Sequence, residues 1–286
     1  MKKILVTGAN GQLGQCLQKI SSQFEEFEFI FTDSETLDIT NKEEVNDFFW
    51  QNAPDFCINA AAYTAVDLAE TDIEKAFLVN ADGTENLAEA CAENNAQFIH
   101  VSTDYVFDGE NNLAYTEEDF TNPLGVYGAS KLAGDELALE VNPCSVILRT
   151  SWVYSEFGKN FVKTMLNLFA TKDELNIVAD QFGQPTNAND LAEAIMKIIK
   201  SEKITPGIFN FSNLGRISWF DFAEKIAGLS EAKIKLNAIE TSQYPTPAKR
   251  PKNSVLDLDK ISKTYAIQLK PWEESLEGCV QILQNN

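Results

Sequence analysis

Tyr127 and Lys131, in the run VYGASKLAGDE, stand four residues apart in a segment with helical character. At that spacing two side chains share one helix face, one turn apart. An ammonium beside the phenol then stabilises the phenolate and lowers the tyrosine pKa, giving a proton donor or acceptor usable near neutral pH. Y-x-x-x-K also arises by chance on exposed helix faces, so its meaning depends on the rest of the chain. His100 is the only histidine and lies in the apolar run QFIHVSTDY, which excludes any mechanism needing two histidines. It reads as a strand residue with a satisfied hydrogen bond, leaving proton transfer to tyrosine, lysine or carboxylates.

The N-terminal stretch KILVTGANGQLGQCLQKI is a short apolar run, then Gly8, Gly11 and Gly14, then an amphipathic stretch from near Gln12. The pattern predicts strand, tight turn and helix. The glycines fall where a side chain would block the turn or keep a diphosphate from the helix N-terminus. Their spacing, G-x-x-G-x-x-G, is the variant associated with short-chain dehydrogenases/reductases rather than the G-x-G-x-x-G of the commonest dehydrogenases. A second strand, predicted over 28–32, ends at Asp33, about 20 residues past the loop, where an acid accepts hydrogen bonds from the adenosine ribose. That acid favours an unphosphorylated dinucleotide.

With 286 residues, 44% of them hydrophobic, the chain is long enough for one large α/β core and a smaller lobe. No apolar run approaches the ~18 residues that span a bilayer, and no signal peptide is evident, so the cytoplasm is the expected location. The five cysteines, Cys16, Cys57, Cys91, Cys144 and Cys279, are scattered without a C-x-x-C. They predict neither a disulfide framework nor a zinc site, and are expected in or near the core. A formal charge of −20 argues against nucleic acid or an anionic membrane surface as partner.

Strands and helices alternate through the first half. Thr40 and Glu43 have the form of a capping box, opening a helix to about Asn52. Further strands are predicted at Phe56–Asn59, 97–102 and 145–151, with one or two helices over 71–95. This rhythm implies an α/β fold with a doubly wound parallel sheet of Rossmann type and right-handed crossovers. Ligands collect at the carboxyl ends of such strands, here residues 8–14, 60–64, 102–105 and 150–154. From about Glu156 the pattern loosens, although a helix over 190–200 and a strand over 207–211 still have scaffold character. The predicted division is a dinucleotide-binding domain over 1–155, to which 188–212 returns, and a smaller, discontinuous substrate lobe over 156–187 and 213–286.

Read together, TGANGQLG, NAAAYTAVD, STDYVFDG, YGASKLAGD, RTSWVY, DQFGQPT and YPTPAKRPKNSVLD cover nearly the whole chain. In this order they resemble the dTDP-4-dehydrorhamnose reductase family, extended short-chain dehydrogenases/reductases that act on nucleotide sugars. The resemblance implies reduction of the 4-keto group of dTDP-4-dehydro-L-rhamnose by NADPH or NADH, giving dTDP-L-rhamnose for cell-surface polysaccharide. Carbonyl reduction puts a hydride on carbon while negative charge grows on oxygen, so the site must supply a hydrogen-bond donor and then a proton. By resemblance Tyr127 is the proton donor, Lys131 lowers its pKa and binds the nicotinamide ribose, and the Thr103 hydroxyl bonds the keto oxygen. Thr103 also has the position of a strand-end hydroxyl that caps a turn. The related 4,6-dehydratases carry Thr-Asp-Glu where this chain has Thr103-Asp104-Tyr105. Without the glutamate a simple reductase is favoured, and Asp104 is expected on a sugar hydroxyl.

The same resemblance puts Gly11, Gln12 and Leu13 at the dinucleotide pyrophosphate, Asp33 at the adenosine ribose, and Asp38 with Ile39 at the adenine. Ala62, Tyr63 and Thr64 line the nicotinamide side, and Trp152 lines the sugar site. The substrate pyrophosphate needs a local cation on so acidic a protein. Lys249, Arg250 and Lys252 lie on a proline-stiffened loop, and the Arg250 guanidinium suits bidentate phosphate contact. Some members dimerise through a magnesium site that uses a glutamate just after the glycine loop. This chain has Gln15-Cys16 there, and magnesium takes oxygen ligands, so the expectation is no such metal, and a monomer or another kind of dimer. Two alternatives to this substrate are a reductase of another nucleotide-linked 4-keto sugar and a catalytically silent dinucleotide-binding regulatory subunit.

Overall fold

The computed structural model describes residues 1–285; Asn286, the last residue of the expected second lobe, lies outside the described residues. Short β-branched and aromatic runs form the strands β1 (Lys2–Thr7), β2 (Phe27–Phe31), β3 (Phe56–Asn59), β4 (Gln97–Thr103) and β5 (Val146–Thr150). Shorter or outlying strands follow: β6 (Val153–Tyr154), β7 (Glu174–Val178), β8 (Phe182–Gly183), β9 (Thr186–Asn187), β10 (Gly207–Asn210), β11 (Ile217–Ser218) and β12 (Lys235–Ile239). Six of them make one sheet in the order β10-β5-β4-β3-β1-β2, with every neighbouring pair parallel. The register aligns Thr7 with Asn59 and Asn59 with His100, so a polar row crosses three central strands near their carboxyl ends.

The helices are α1 (Gln12–Ser21), α2 (Lys42–Asn52), α3 (Val66–Ala69), α4 (Ile73–Phe77), α5 (Gly83–Glu93), α6 (Val126–Val141), α7 (Phe161–Phe169), α8 (Ala188–Ile199), α9 (Trp219–Leu229), α10 (Asp259–Tyr265) and α11 (Trp272–Asn285). Alternation along each strand divides the apolar side chains between two layers. Ile4, Val6, Ile58, Ile99 and Leu148 pack with α1 and α8. Leu5, Cys57, Phe98 and Ile147 pack with α2 and α5. A further core joins Tyr154, Val162, Phe222, Trp272 and Leu276.

Predicted and observed strands agree to within one residue at each end, because a run buried on both faces is bounded by the polar residues that follow it. Helix starts agree less well. The cap of α2 is Asn41, whose side chain accepts from the Glu44 backbone. Thr40, the expected cap, donates its hydroxyl to Asp38 instead. The span 71–95 holds α4, a π-helical turn (Leu78–Asp82) and α5. Ile261, Tyr265 and Ile267, predicted in the second lobe, pack into the sheet layer with α8. Four cysteines are buried and Cys144 is exposed.

Candidate active site

The turn between β1 and α1 has no room for side chains. Gly8 sits at φ +68°, and a Cβ there would lie 2.6 Å from the Ala60 backbone. A Cβ on Gly14 would lie 2.4 Å from the Gly8 carbonyl oxygen. Gly11 is the N-cap of α1 and offers no side-chain cap, so the first N–H groups of the helix stay available at a bare glycine surface. That cradle fits a dinucleotide diphosphate. Gln12 turns the other way: its side chain bonds Val153 O (3.3 Å), Ser155 Oγ (3.2 Å) and Asn160 Nδ2 (2.9 Å). Leu13 is buried in the core, so only its backbone faces the turn.

Asp33 closes the far side of the turn. Its carboxylate accepts from Asn10 Nδ2 (2.6 Å) and Thr36 Oγ1 (2.9 Å). The Thr36 hydroxyl, with help from backbone N–H groups and Asn10, holds it below the usual carboxylate range. Asp38 Oδ1 accepts from the Thr40 backbone and hydroxyl, and Ile39 is buried against Gly83. Beyond β3, Ala62 is half-buried and Thr64 exposed. Between them the Tyr63 backbone is clamped by Asn80, which accepts from its N–H (2.8 Å) and donates to its carbonyl (3.1 Å).

Thr103 ends β4 and is the N-cap of the 3-10 turn Asp104–Val106, accepting from the Tyr105 N–H at 3.2 Å. Its hydroxyl donates to Asp104 Oδ1 at 3.0 Å and stands near enough to the Tyr127 phenol to favour its ionised form. The turn-capping role and the site position therefore coexist in one side chain. Asp104 is buried with Oδ2 unpartnered, and burial pushes its carboxyl up to about 7. The Tyr105 ring meets Tyr127 edge-on, with centroids 5.6 Å apart. Gly128 lets α6 approach this turn, since a Cβ there would lie 2.2 Å from the Tyr105 carbonyl oxygen.

The expected lowering of the Tyr127 pKa by Lys131 is not what the surroundings produce. Burial, aided by Asp104 and Asp135, pushes the phenol up to about 12, opposed by the Thr103 hydrogen bond. Lys131 is itself buried, and burial pushes it down to about 8 against the pull of Asp135. Its Nζ lies 3.0 Å from His100 Nε2 and donates to Val101 O at 2.7 Å. Helical spacing puts the two side chains on one face, but the ammonium points beneath the helix. Sequence reasoning missed this use of His100, because a single histidine in an apolar strand carries no signal of a partner 31 residues away.

Trp152, just past β5, has φ 46°, a left-handed conformation uncommon for a bulky residue and often found at functional sites. It stacks on Trp219 at 3.5 Å with an 11° interplanar angle. Gly183 makes space for it, as a Cβ there would lie 2.6 Å from the indole. Arg250 pairs bidentately with Asp67, Nη1 to Oδ1 at 3.1 Å and Nη2 to Oδ2 at 2.8 Å. Asp67 closes the NAAAYTAVD motif, but nothing in that motif points to a partner on the distant loop of Arg250. Beside this pair opens a cleft of roughly 370 Å³, lined by Asp108, Gln181, Tyr244, Lys249, Arg250 and Lys252.

A parallel doubly wound sheet with a glycine cradle, and a Tyr-x-x-x-Lys helix beside its carboxyl edge, defines a dinucleotide-binding fold of the short-chain dehydrogenase/reductase class. A family model described as the RmlD substrate binding domain matches residues 1–285. A dTDP-4-dehydrorhamnose reductase of Aggregatibacter actinomycetemcomitans is 45% identical, over 97% of this chain and 98% of the relative. The chain belongs to the dTDP-4-dehydrorhamnose reductase family. The crystal structure of a family member from Clostridium acetobutylicum superposes with a TM-score of 0.94 at 43% identity, covering 99% of both chains. Another from Bacillus anthracis, in complex with NADP, superposes with a TM-score of 0.95 at 38% identity, covering 99% of this chain and 100% of that one.

Proposed function

We propose that this protein reduces the 4-keto group of dTDP-4-dehydro-β-L-rhamnose to give dTDP-β-L-rhamnose, using NADPH or NADH. The observation that carries the reading is Thr103 at the end of β4 beside Tyr127 and Lys131 on α6, in a chain that matches relatives named for this reaction along almost their whole length. The bound dinucleotide supplies the hydride. The glycine cradle and the N-terminus of α1 hold its diphosphate, and Asp33 accepts from its adenosine ribose. We assign the adenine contacts to Asp38 and Ile39, and the nicotinamide side to Ala62, Tyr63 and Thr64.

At the sugar, Thr103 Oγ1 turns its one proton from Asp104 Oδ1 to the keto oxygen as charge develops there. Tyr127 then transfers its phenolic proton to that oxygen, and the phenolate is reprotonated from solvent. A phenol titrating near about 12 is fully protonated at neutral pH, so the donor is loaded for reduction. Lys131 contacts the nicotinamide ribose and steadies the phenolate. Asp104, Trp152 and Arg250 hold the substrate, Arg250 exchanging its Asp67 carboxylate for the substrate diphosphate.

We assign the substrate lobe to residues 156–187 and 213–286, with α10 packed back onto the sheet domain. No helix among the described residues is long and apolar enough to cross a membrane, and a cytoplasmic enzyme is part of this reading. So is a monomer or a dimer not built on magnesium, since Cys16 is directed into the core rather than toward a metal. The test is turnover of a panel of 4-keto nucleotide sugars with each cofactor, followed by loss of reduced-nicotinamide absorbance and NMR of the products. Turnover of dTDP-4-dehydrorhamnose above the other sugars is expected. Binding of NADPH without turnover of any panel member would contradict the proposal and support a regulatory subunit.

A further inference from the structure

His100 is fully buried beneath α6, and its hydrogen-bond partners fix its proton. Asn59 Oδ1 accepts from the Ala61 backbone N–H (3.2 Å) and from Thr7 Oγ1 (2.8 Å). The Asn59 amide nitrogen is therefore turned toward Thr84 Oγ1 (3.3 Å) and His100 Nδ1 (3.1 Å). Thr84 gives its own hydroxyl proton to the Asn80 carbonyl at 2.8 Å and so accepts from Asn59. An amide N–H aimed at Nδ1 needs a lone pair there, which leaves the proton of a neutral imidazole on Nε2. The ring is neutral, because burial and then the Lys131 charge hold it well below the usual histidine range.

The Nε2–H lies 3.0 Å from Lys131 Nζ, which separately donates to Val101 O. A donor N–H opposes an ammonium but bonds the lone pair of an amine. We propose that His100 is a positioning residue whose Nε2–H disfavours the ammonium of Lys131 at this seat and favours its amine, so that the charged lysine is directed to a second seat at the ribose of a bound dinucleotide. A partner for the ring after the lysine leaves is already in place. Asp135 Oδ1 lies 3.8 Å from His100 Nε2 and has no hydrogen bond of its own, whereas Oδ2 accepts from Ser102 (2.9 Å) and Arg149 Nε (3.3 Å).

The titratable and charged groups around the pair are Tyr127 and Asp135 from α6, Arg149 from β5, and Asp104 and Tyr105 from the turn after β4. The β3 strand, the π-helical turn and the start of α5 present the uncharged Asn59, Asn80 and Thr84. The second seat rests on the dinucleotide-binding reading above, and the first seat does not.

Because His100 is the only histidine, nitrogen-15-labelled histidine reports on it alone. The expected spectrum is the neutral Nε2–H tautomer at neutral pH. On raising the pH, its Nε2 signal should inflect near about 8 as Lys131 loses its proton, and Lys131→Met should abolish that inflection. Saturating NADPH should shift the Nε2 signal and remove the inflection in the unmodified protein. Calorimetry in buffers of different ionisation enthalpy should show uptake of about 0.8 proton per dinucleotide near about pH 8.5. A protonated Nδ1, or an inflection that survives in Lys131→Met, would overturn the first seat. NADPH binding without proton uptake or a change at His100 would overturn the second seat alone. Failure of both NADPH and NADH to bind would overturn the dinucleotide reading and the second seat together.

Discussion

Each hydroxyl and carboxyl at the strand ends has a separate electrostatic setting, and the settings divide the work. Thr103 is neutral, donates to Asp104 and stands beside Tyr127, so Thr103→Val should lower kcat by ~10²-fold while NADPH affinity, measured by fluorescence, stays unchanged. Burial holds the Asp104 carboxyl at about 7, above the 3.8 of a free aspartate. The stability it contributes is therefore complete below the lower value and is lost as pH rises through about 7. Melting temperatures followed across that window should fall more steeply with pH in the unmodified protein than in Asp104→Asn. Spacing and strand context made the placement of Tyr127 and Lys131 on one helix and of Thr103 at a strand end legible. Their hydrogen-bond partners were not, because Asn59, His100 and Asp67 reach the site only through pairings across the sheet or between distant loops.

Among the elements, the turn after β1 and the loop carrying Arg250 make opposite demands. The turn is rigid by exclusion: Gly8→Ala would force a Cβ into the Ala60 backbone at a positive φ. It should cost ~1–3 kcal/mol in denaturant unfolding and weaken dinucleotide binding at least tenfold. The Arg250 loop is instead held by an exchangeable ion pair with Asp67, partly open to solvent. Asp67→Asn should leave NADPH affinity unchanged and alter KM for the nucleotide sugar more than kcat, and an unchanged KM would remove Asp67 from the account. Strand positions were readable because alternation and burial mark them. The start of α2 was misplaced by one residue, since Thr40 and Asn41 are both good caps and only the Asp38 contact decides between them.

For the whole molecule, the two layers over the sheet and the separate aromatic core explain why the sequence loosens after residue 156 without losing the fold. Chain segments from 152–177, 217–236 and 272–283 interleave in that core, whereas α10 returns to the sheet layer through Ile261 and Tyr265. Sequence periodicity describes one element at a time and carries no address for the layer it joins, so the placement of α10 was not readable. Cys16 lies in the core beneath α1, where burial pushes its thiol up to about 12. Sedimentation velocity should therefore give the same distribution with magnesium as with a chelator, and a magnesium-dependent dimer would overturn this. The most direct test of the central claim is single-turnover reduction of dTDP-4-dehydrorhamnose by Tyr127→Phe saturated with NADPH. A phenol that protonates the C4 oxygen predicts a loss of ~10²–10⁴-fold in the chemical step with NADPH affinity retained, whereas a rate within about threefold of the unmodified protein would contradict it.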